Sequence, residues 1–183
     1  MSRICSISCY VIITILVLTA VPDIANAGLR EDAEQGDPAA QLLLGLRYGE
    51  GIGVIQDYKQ AFKWFKKSAE QGDPTAQYNI GAMYYNGHGI TQNYKQTFKW
   101  YKLAAEQGFS KAQYNLGVMS QEGLGVSKDY LQAFKWYDLA AKQGELRAQI
   151  NLGNMYLKGE GVAQDYLQAF KWYNLAAEQQ FPE

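Results

Sequence analysis

Residues 129–137 read Asp129-Tyr130-Leu131-Gln132-Ala133-Phe134-Lys135-Trp136-Tyr137, and the same string returns unchanged at Asp165 to Tyr173. Earlier near-copies end on Phe98-Lys99-Trp100-Tyr101 and Phe62-Lys63-Trp64-Phe65. The four tryptophans Trp64, Trp100, Trp136 and Trp172 are 36 residues apart. Gln35-Gly36, Gln71-Gly72, Gln107-Gly108 and Gln143-Gly144 keep the same step. A fixed period of roughly 20–50 residues marks a solenoid, in which each unit stacks on its neighbours. The default function therefore moves from catalysis in a pocket to binding along a surface.

Four units cover 37–72, 73–108, 109–144 and 145–180. Twelve of their 36 columns are identical in all four, and in the first unit these are Ala40, Gln41, Gly45, Gly51, Gly53, Tyr58, Gln60, Phe62, Lys63, Trp64, Ala69 and Gln71. Each unit reads as two helices. In the second, Asp73 can accept from the free amides of a first turn, and Pro74 sits at N1, where its missing N–H is not needed. Ala76, Ile80, Met83 and Tyr84 then form one apolar stripe. Gly87-His88-Gly89 ends the helix and turns the chain. A second helix opens at Asn93, carries Tyr94, Phe98, Tyr101 and Ala105 on one side, and stops at Gln107-Gly108. Asp57, Asp129 and Asp165 are the matching caps in the other units. A glycine inside a helix costs about 1 kcal/mol against alanine. Gly45, Gly81, Gly117 and Gly153 repeat that cost, so a close helix contact is expected there.

The remaining ends bound the reading. The chain has 183 residues, enough for one domain. Arg3, the apolar stretch from Ile4 to Val21 and Ala25-Asn26-Ala27 make residues 1–27 an expected secretory signal peptide. A retained anchor is the alternative, since such a stretch could just span a bilayer; Pro22 and Ala-Asn-Ala favour cleavage. Cys5 and Cys9 fall inside that segment, so a chain from Gly28 onward uses no disulfide. Residues 28–36 align with the tail of a preceding second helix, a truncated cap. No capping helix follows the fourth unit, only the tail 181–183, which leaves an open end and suggests an end-to-end homodimer. Net charge is −1, from 17 basic and 18 acidic side chains, against the basic footprint that nucleic acid requires.

The pattern Ala-Gln-Tyr-Asn-Leu-Gly, Gly-x-Gly-Val, Asp-Tyr-x-Gln-Ala-Phe-Lys-Trp-Tyr, Ala-Ala-x-Gln-Gly, carried by Ala112 to Gly144 and repeated from Gly36 to Gln179, resembles the Sel-one-like repeat (SLR), a relative of the tetratricopeptide repeat. The resemblance implies an all-α, right-handed solenoid of helix-turn-helix repeats with a concave face. It also implies a scaffold or adaptor for protein partners, often exported from bacteria. Two departures stand out. The tyrosine that closes the first helix is Tyr48, Tyr84 and Tyr156, but the third unit has Ser120. The disulfide that staples each unit in some exported relatives has no cysteines here.

Little in the chain points to chemistry. His88 is the single histidine and stands in a turn whose equivalents are Ile52, Leu124 and Glu160. A zinc site needs three or four ligands. Some relatives of this kind are associated with β-lactams, but none of Ser68, Ser110, Ser120 and Ser127 has a lysine three residues on. No catalytic, cofactor-binding or metal-binding residue is therefore expected. Lys63, Lys99, Lys135 and Lys171 are read as stems lying on apolar surface with their charges in water.

By analogy with tetratricopeptide-like solenoids, first-helix positions that vary between units should line the concave face. Tyr78, Tyr85, Lys111, Tyr114, Arg147 and Asn154 are the candidate partner-binding residues. For Tyr78 and Tyr114, packing between adjacent units is the rival role. The expected function is an exported, non-catalytic protein-interaction module, periplasmic or secreted, with a protein or peptide partner, no nucleic acid and no membrane span in the mature chain. A cell-envelope hydrolase acting on β-lactam or peptidoglycan and a self-assembling oligomer are the alternatives.

Overall fold

The computed structural model describes residues 27–180. The expected signal segment lies outside these, apart from Ala27, as does the tail 181–183. The described residues form nine helices and no strand. A helix over 27–35 (α1) is followed by α2 (Pro38–Glu50), α3 (Tyr58–Glu70), α4 (Pro74–Asn86), α5 (Tyr94–Glu106), α6 (Ser110–Glu122), α7 (Tyr130–Lys142), α8 (Leu146–Lys158) and α9 (Tyr166–Gln180). The expected all-α fold of tandem helix pairs is the observed one. The chain divides into two compact units, one ending at Gln71 and one beginning at Gly72.

Helix starts follow the capping residues. Asp73 accepts from the Ala76 amide at 2.7 Å, with Pro74 at N1. Asn93 accepts from Gln96 and Asp129 from Gln132, at 3.1 and 3.0 Å. α6 and α8 start instead on Phe109 and Glu145, whose side chains make no capping bond. At the other end of α4, Gly87 sits at φ 74°, and its amide donates to Met83 O at 2.8 Å. That left-handed cap is natural for glycine and strained for other residues.

In the first unit, α1 to α3 enclose Ala33, Ala40, Leu44 and Trp64. Arg30 Nη2 donates to the Tyr48 hydroxyl at 2.6 Å, and Ser68 Oγ donates to Pro38 O at 2.9 Å. In the second unit α4 pairs with α5, α6 with α7, and α8 with α9, while α5 packs on α6 and α7 on α8. Each junction between successive pairs contributes the same kind of core. Ala112, Leu116 and Met119 of α6 meet Tyr101, Ala104 and Ala105 of α5. Ala148, Leu152 and Met155 of α8 meet Ala133, Tyr137, Ala140 and Ala141 of α7. Small residues bring backbones close, and the large ones fill the space left.

Two repeated glycines mark where that closeness is greatest. A Cβ on Gly117 would stand 2.5 Å from Cδ1 of Tyr137. Gly125, at φ +74°, lies directly on the backbone of Tyr94 and Lys95, and Gly161 lies likewise on Tyr130 and Leu131. The Gly-x-Gly turn is therefore the point at which one repeat touches the start of the previous second helix, backbone to backbone.

Candidate interaction surface

Buried glutamines link successive repeats. Gln113 is 4% exposed and donates to the Ala105 carbonyl at 3.1 Å, in the last turn of the preceding helix. Its Oε1 accepts from Gln143 Nε2 at 2.7 Å, across 30 residues of sequence. Gln149 donates to Ala141 O and accepts from Gln179 in the same way, at 3.2 and 2.9 Å. Gln107 reaches both Gln77 Oε1 and Gly72 O, each at 2.9 Å. Within the first unit Gln41 bonds Ala33 O, and Gln71 bonds Gln41. Among the described residues no buried side-chain nitrogen or oxygen lacks a partner. Within the second unit this ladder fixes α4, α6 and α8 against the second helices beside them, and so fixes the register of the surface those three helices share.

The variable stripe of the first helices lies on that frame. Tyr78 is half-buried, stacked on Tyr101 with centroids 5.4 Å apart and tilted against Phe109 at 5.1 Å. Tyr114 is half-buried against Tyr137 at 5.9 Å. Tyr85 is half-buried and meets Tyr94 edge-on at 5.4 Å. Lys111 and Arg147 are exposed. Asn154 is half-buried, and its Oδ1 accepts from the Tyr173 hydroxyl at 2.7 Å. Each of these aromatics thus packs part of its ring and leaves the rest accessible. Along α8 the stripe becomes aliphatic, with Ile150 and Leu157 exposed.

In the second and third repeats the second helix sends a tyrosine beneath this stripe. Tyr101 and Tyr137 are 4% and 1% exposed. Burial pushes both phenols well above their usual pKa. The Tyr78 ring adds to the shift at Tyr101, and a hydrogen bond from Asn115 opposes it. Tyr137 donates to Gln121 Oε1 at 3.0 Å. The surface therefore rests on a rigid, hydrogen-bonded aromatic layer.

The acidic caps are engaged in capping: Asp57, Asp129 and Asp165 all accept backbone amides. Lys63, Lys99, Lys135 and Lys171 are exposed, and Lys63 Nζ lies 5.8 Å from the Trp64 ring centre. His88 is exposed in its turn. No group of three or more His, Cys, Asp or Glu among the described residues is placed to hold a metal ion. No helix among them is long and apolar enough to cross a membrane.

The model of the Sel1 repeat matches four times in succession, over residues 38–73, 74–109, 110–145 and 146–181. A search of curated proteins found no match. Among solved structures, a protective antigen of uropathogenic Escherichia coli strains with an SLR fold is 46% identical, with a TM-score of 0.82 over 85% of this chain. A Sel1 repeat protein of Oxalobacter formigenes is 41% identical, with a TM-score of 0.76 over 79% of this chain. The chain spans 33% and 60% of the length of those two proteins. The Helicobacter pylori cysteine-rich protein B, at 21% identity and a TM-score of 0.55, covers 69% of this chain with 91% of its own length and shares the fold. Sel1 repeats typically serve as protein-interaction scaffolds. With four tandem matches from residue 38 to 181 and a relative of 46% identity, the chain belongs to the Sel1 repeat family.

Proposed function

We propose that this chain is a non-catalytic adaptor that binds an extended protein segment along the first-helix stripe of α4, α6 and α8. The observation that carries the reading is the stripe itself. Half-exposed tyrosines and exposed cations stand at fixed helical spacing on a frame locked by the glutamine ladder. Tyrosine and arginine are frequent anchors in protein interfaces. The partly open faces of Tyr78, Tyr85 and Tyr114 offer apolar contact, while Lys111 and Arg147 favour acidic groups in the bound segment. The apolar leader at residues 4–21 supports export, and the adaptor would then act in the periplasm or outside the cell.

The test is an affinity pull-down from envelope and medium fractions with residues 28–183. The expected result is a saturable protein partner whose binding falls on Tyr85→Ala and Arg147→Ala while both variants stay folded. Hydrolysis of a chromogenic β-lactam by the purified chain would replace this reading with the enzymatic one.

A second reading, self-association, is favoured by the outer side of α9. Tyr166, Leu167 and Phe170 are 66%, 62% and 60% exposed there. Sedimentation of residues 28–183 should then show a mass that rises with concentration and returns to monomer on Phe170→Glu. A constant monomer mass removes this reading.

A further inference from the structure

The third repeat differs from the other three at one core-facing position, and a cleft lies where it differs. The amide of Asp129 donates to Ser120 O at 2.8 Å, just as Asp165 donates to Tyr156 O at 2.9 Å. The same backbone hydrogen bond is therefore kept at 120 and 156, while the side chain has changed. In the fourth repeat Tyr156 stands there, edge-on to Phe134 at 5.4 Å, and Tyr156, Val162 and Trp172 all pack against the same core cluster. In the third repeat the counterparts of those residues, Phe98, Val126 and Trp136, line an unfilled cleft of about 260 Å³ with Ser120 at its base. An enclosed apolar cavity of ~150 Å³ suffices to hold benzene, so this open cleft has volume enough for a phenyl ring.

The rim also differs in charge. The Tyr156 phenol is held above its usual pKa by burial first, then by the Asp138 and Asp165 carboxylates. In the cleft the counterparts are Lys102 and Asp129, so one of the two carboxylates is replaced by an ammonium group. Lys102 also pairs with Glu106 at 3.7 Å on an exposed surface, a contact weak enough to rearrange. The turn beside the cleft is also secured differently. Gln92 and Gln164 stitch the equivalent turns to Tyr85 O and Leu157 O at 2.7 and 2.8 Å, and the third repeat has Lys128 at that position.

We infer that the cleft between Phe98, Val126 and Trp136 is a binding slot for a para-hydroxyphenyl group, supplied as the tyrosine side chain of a partner protein. The chain's own Tyr156 defines what the space accepts: a ring edge-on to the phenylalanine, with its hydroxyl at the charged rim. Lys102 places a donor where that hydroxyl arrives, which favours a phenol over a plain phenyl ring. This inference stands apart from the first-helix stripe and does not depend on it.

The experiment is an NMR titration of residues 28–183 with N-acetyl-tyrosinamide, N-acetyl-leucinamide and p-cresol. Saturable shifts confined to Ser120, Val126 and the Trp136 indole are expected with the tyrosine probe, with the leucine probe at least about tenfold weaker. Ser120→Tyr should abolish those shifts and raise the unfolding midpoint, because it refills the slot from within. Lys102→Asp, which restores the charge of the fourth repeat, should fold normally and weaken binding of the tyrosine probe. Shifts scattered away from the cleft, or the same binding in Ser120→Tyr, overturn the slot. Binding of p-cresol with exclusion of N-acetyl-tyrosinamide overturns the partner-tyrosine assignment in favour of a free phenol. The wild-type titration decides the matter even if Ser120→Tyr does not fold.

Discussion

Gly81 lies beneath the ring of Tyr101 so closely that a Cβ there would stand 2.5 Å from Tyr101 Cδ1. The glycine repeated within the first helices is thus a seat for the aromatic residue of the paired helix. Gly81→Val should cost about 3 kcal/mol, the upper range for forcing extra atoms into a packed core. Gly81→Ala should cost less, because alanine recovers about 1 kcal/mol of helix propensity. Urea unfolding of both variants checks the order, and equal stability of wild type and Gly81→Val would refute the seat.

Much of this was legible in the sequence because it repeats locally. Asp73-Pro74, Asn93 and Gly87 announce helix ends through chemistry within a few residues, and α4 and α5 begin and end close to those signals. Ala76, Ile80 and Met83 show their buried face through spacing alone. The glutamine columns were visible as identities at Gln41 and Gln71, but not as a ladder. Their partners lie 30 residues away, and no local pattern pairs a buried amide with a distant one. The candidate stripe was only partly legible for a related reason. Tyr78 and Tyr114 stand at variable positions, yet each sets a ring against the paired helix's tyrosine. A side chain that is half packed and half open gives no clean periodic signal. The cleft at Ser120 was present in the sequence only as a departure, and its shape needed the helices in place.

The glutamine ladder predicts an outsized effect for a polar core residue. Gln113→Leu removes the donor to Ala105 O and the acceptor for Gln143. Ala105 O keeps the Gly108 amide and the exposed Gln143 keeps Leu139 O, so the loss is that of the two hydrogen bonds themselves, about 1 kcal/mol each. Gln132, exposed on α7, should by contrast tolerate alanine with little change. Hydrogen exchange should show the loss of protection at the α5–α6 and α6–α7 contacts. An unchanged unfolding curve for Gln113→Leu would mean that the ladder adds nothing to stability.

Helix caps supply a paired comparison. Asp165 accepts from the Leu167 and Gln168 amides at 2.9 and 3.0 Å, while Glu145 makes no side-chain capping bond. Asp165→Ala should therefore cost about 1 kcal/mol. Glu145→Ala should fall within about 0.5 kcal/mol of wild type, as an ordinary surface change does. Thermal unfolding of the two variants side by side distinguishes them, and equal losses would show that the capping bond is not the source.

The buried phenols set an alkaline limit on stability. Desolvation raises the Tyr101 and Tyr137 pKa values above the ordinary value of 10.0. The folded state therefore keeps these protons at a pH where the unfolded chain has released them. Their contribution is fully present below pH ~10 and is lost as pH rises above it. Each group removes up to about 1.4 kcal/mol per pH unit while only the unfolded form is ionised. Urea unfolding between pH ~8 and ~11 should show the midpoint falling steeply at the top of that window. Tyr101→Phe starts from lower stability, because it loses the Asn115 hydrogen bond, but its alkaline decline should be shallower. Parallel declines in wild type and variant would show that Tyr101 titrates as freely in the folded chain as in the unfolded one, and that its burial does not control the limit.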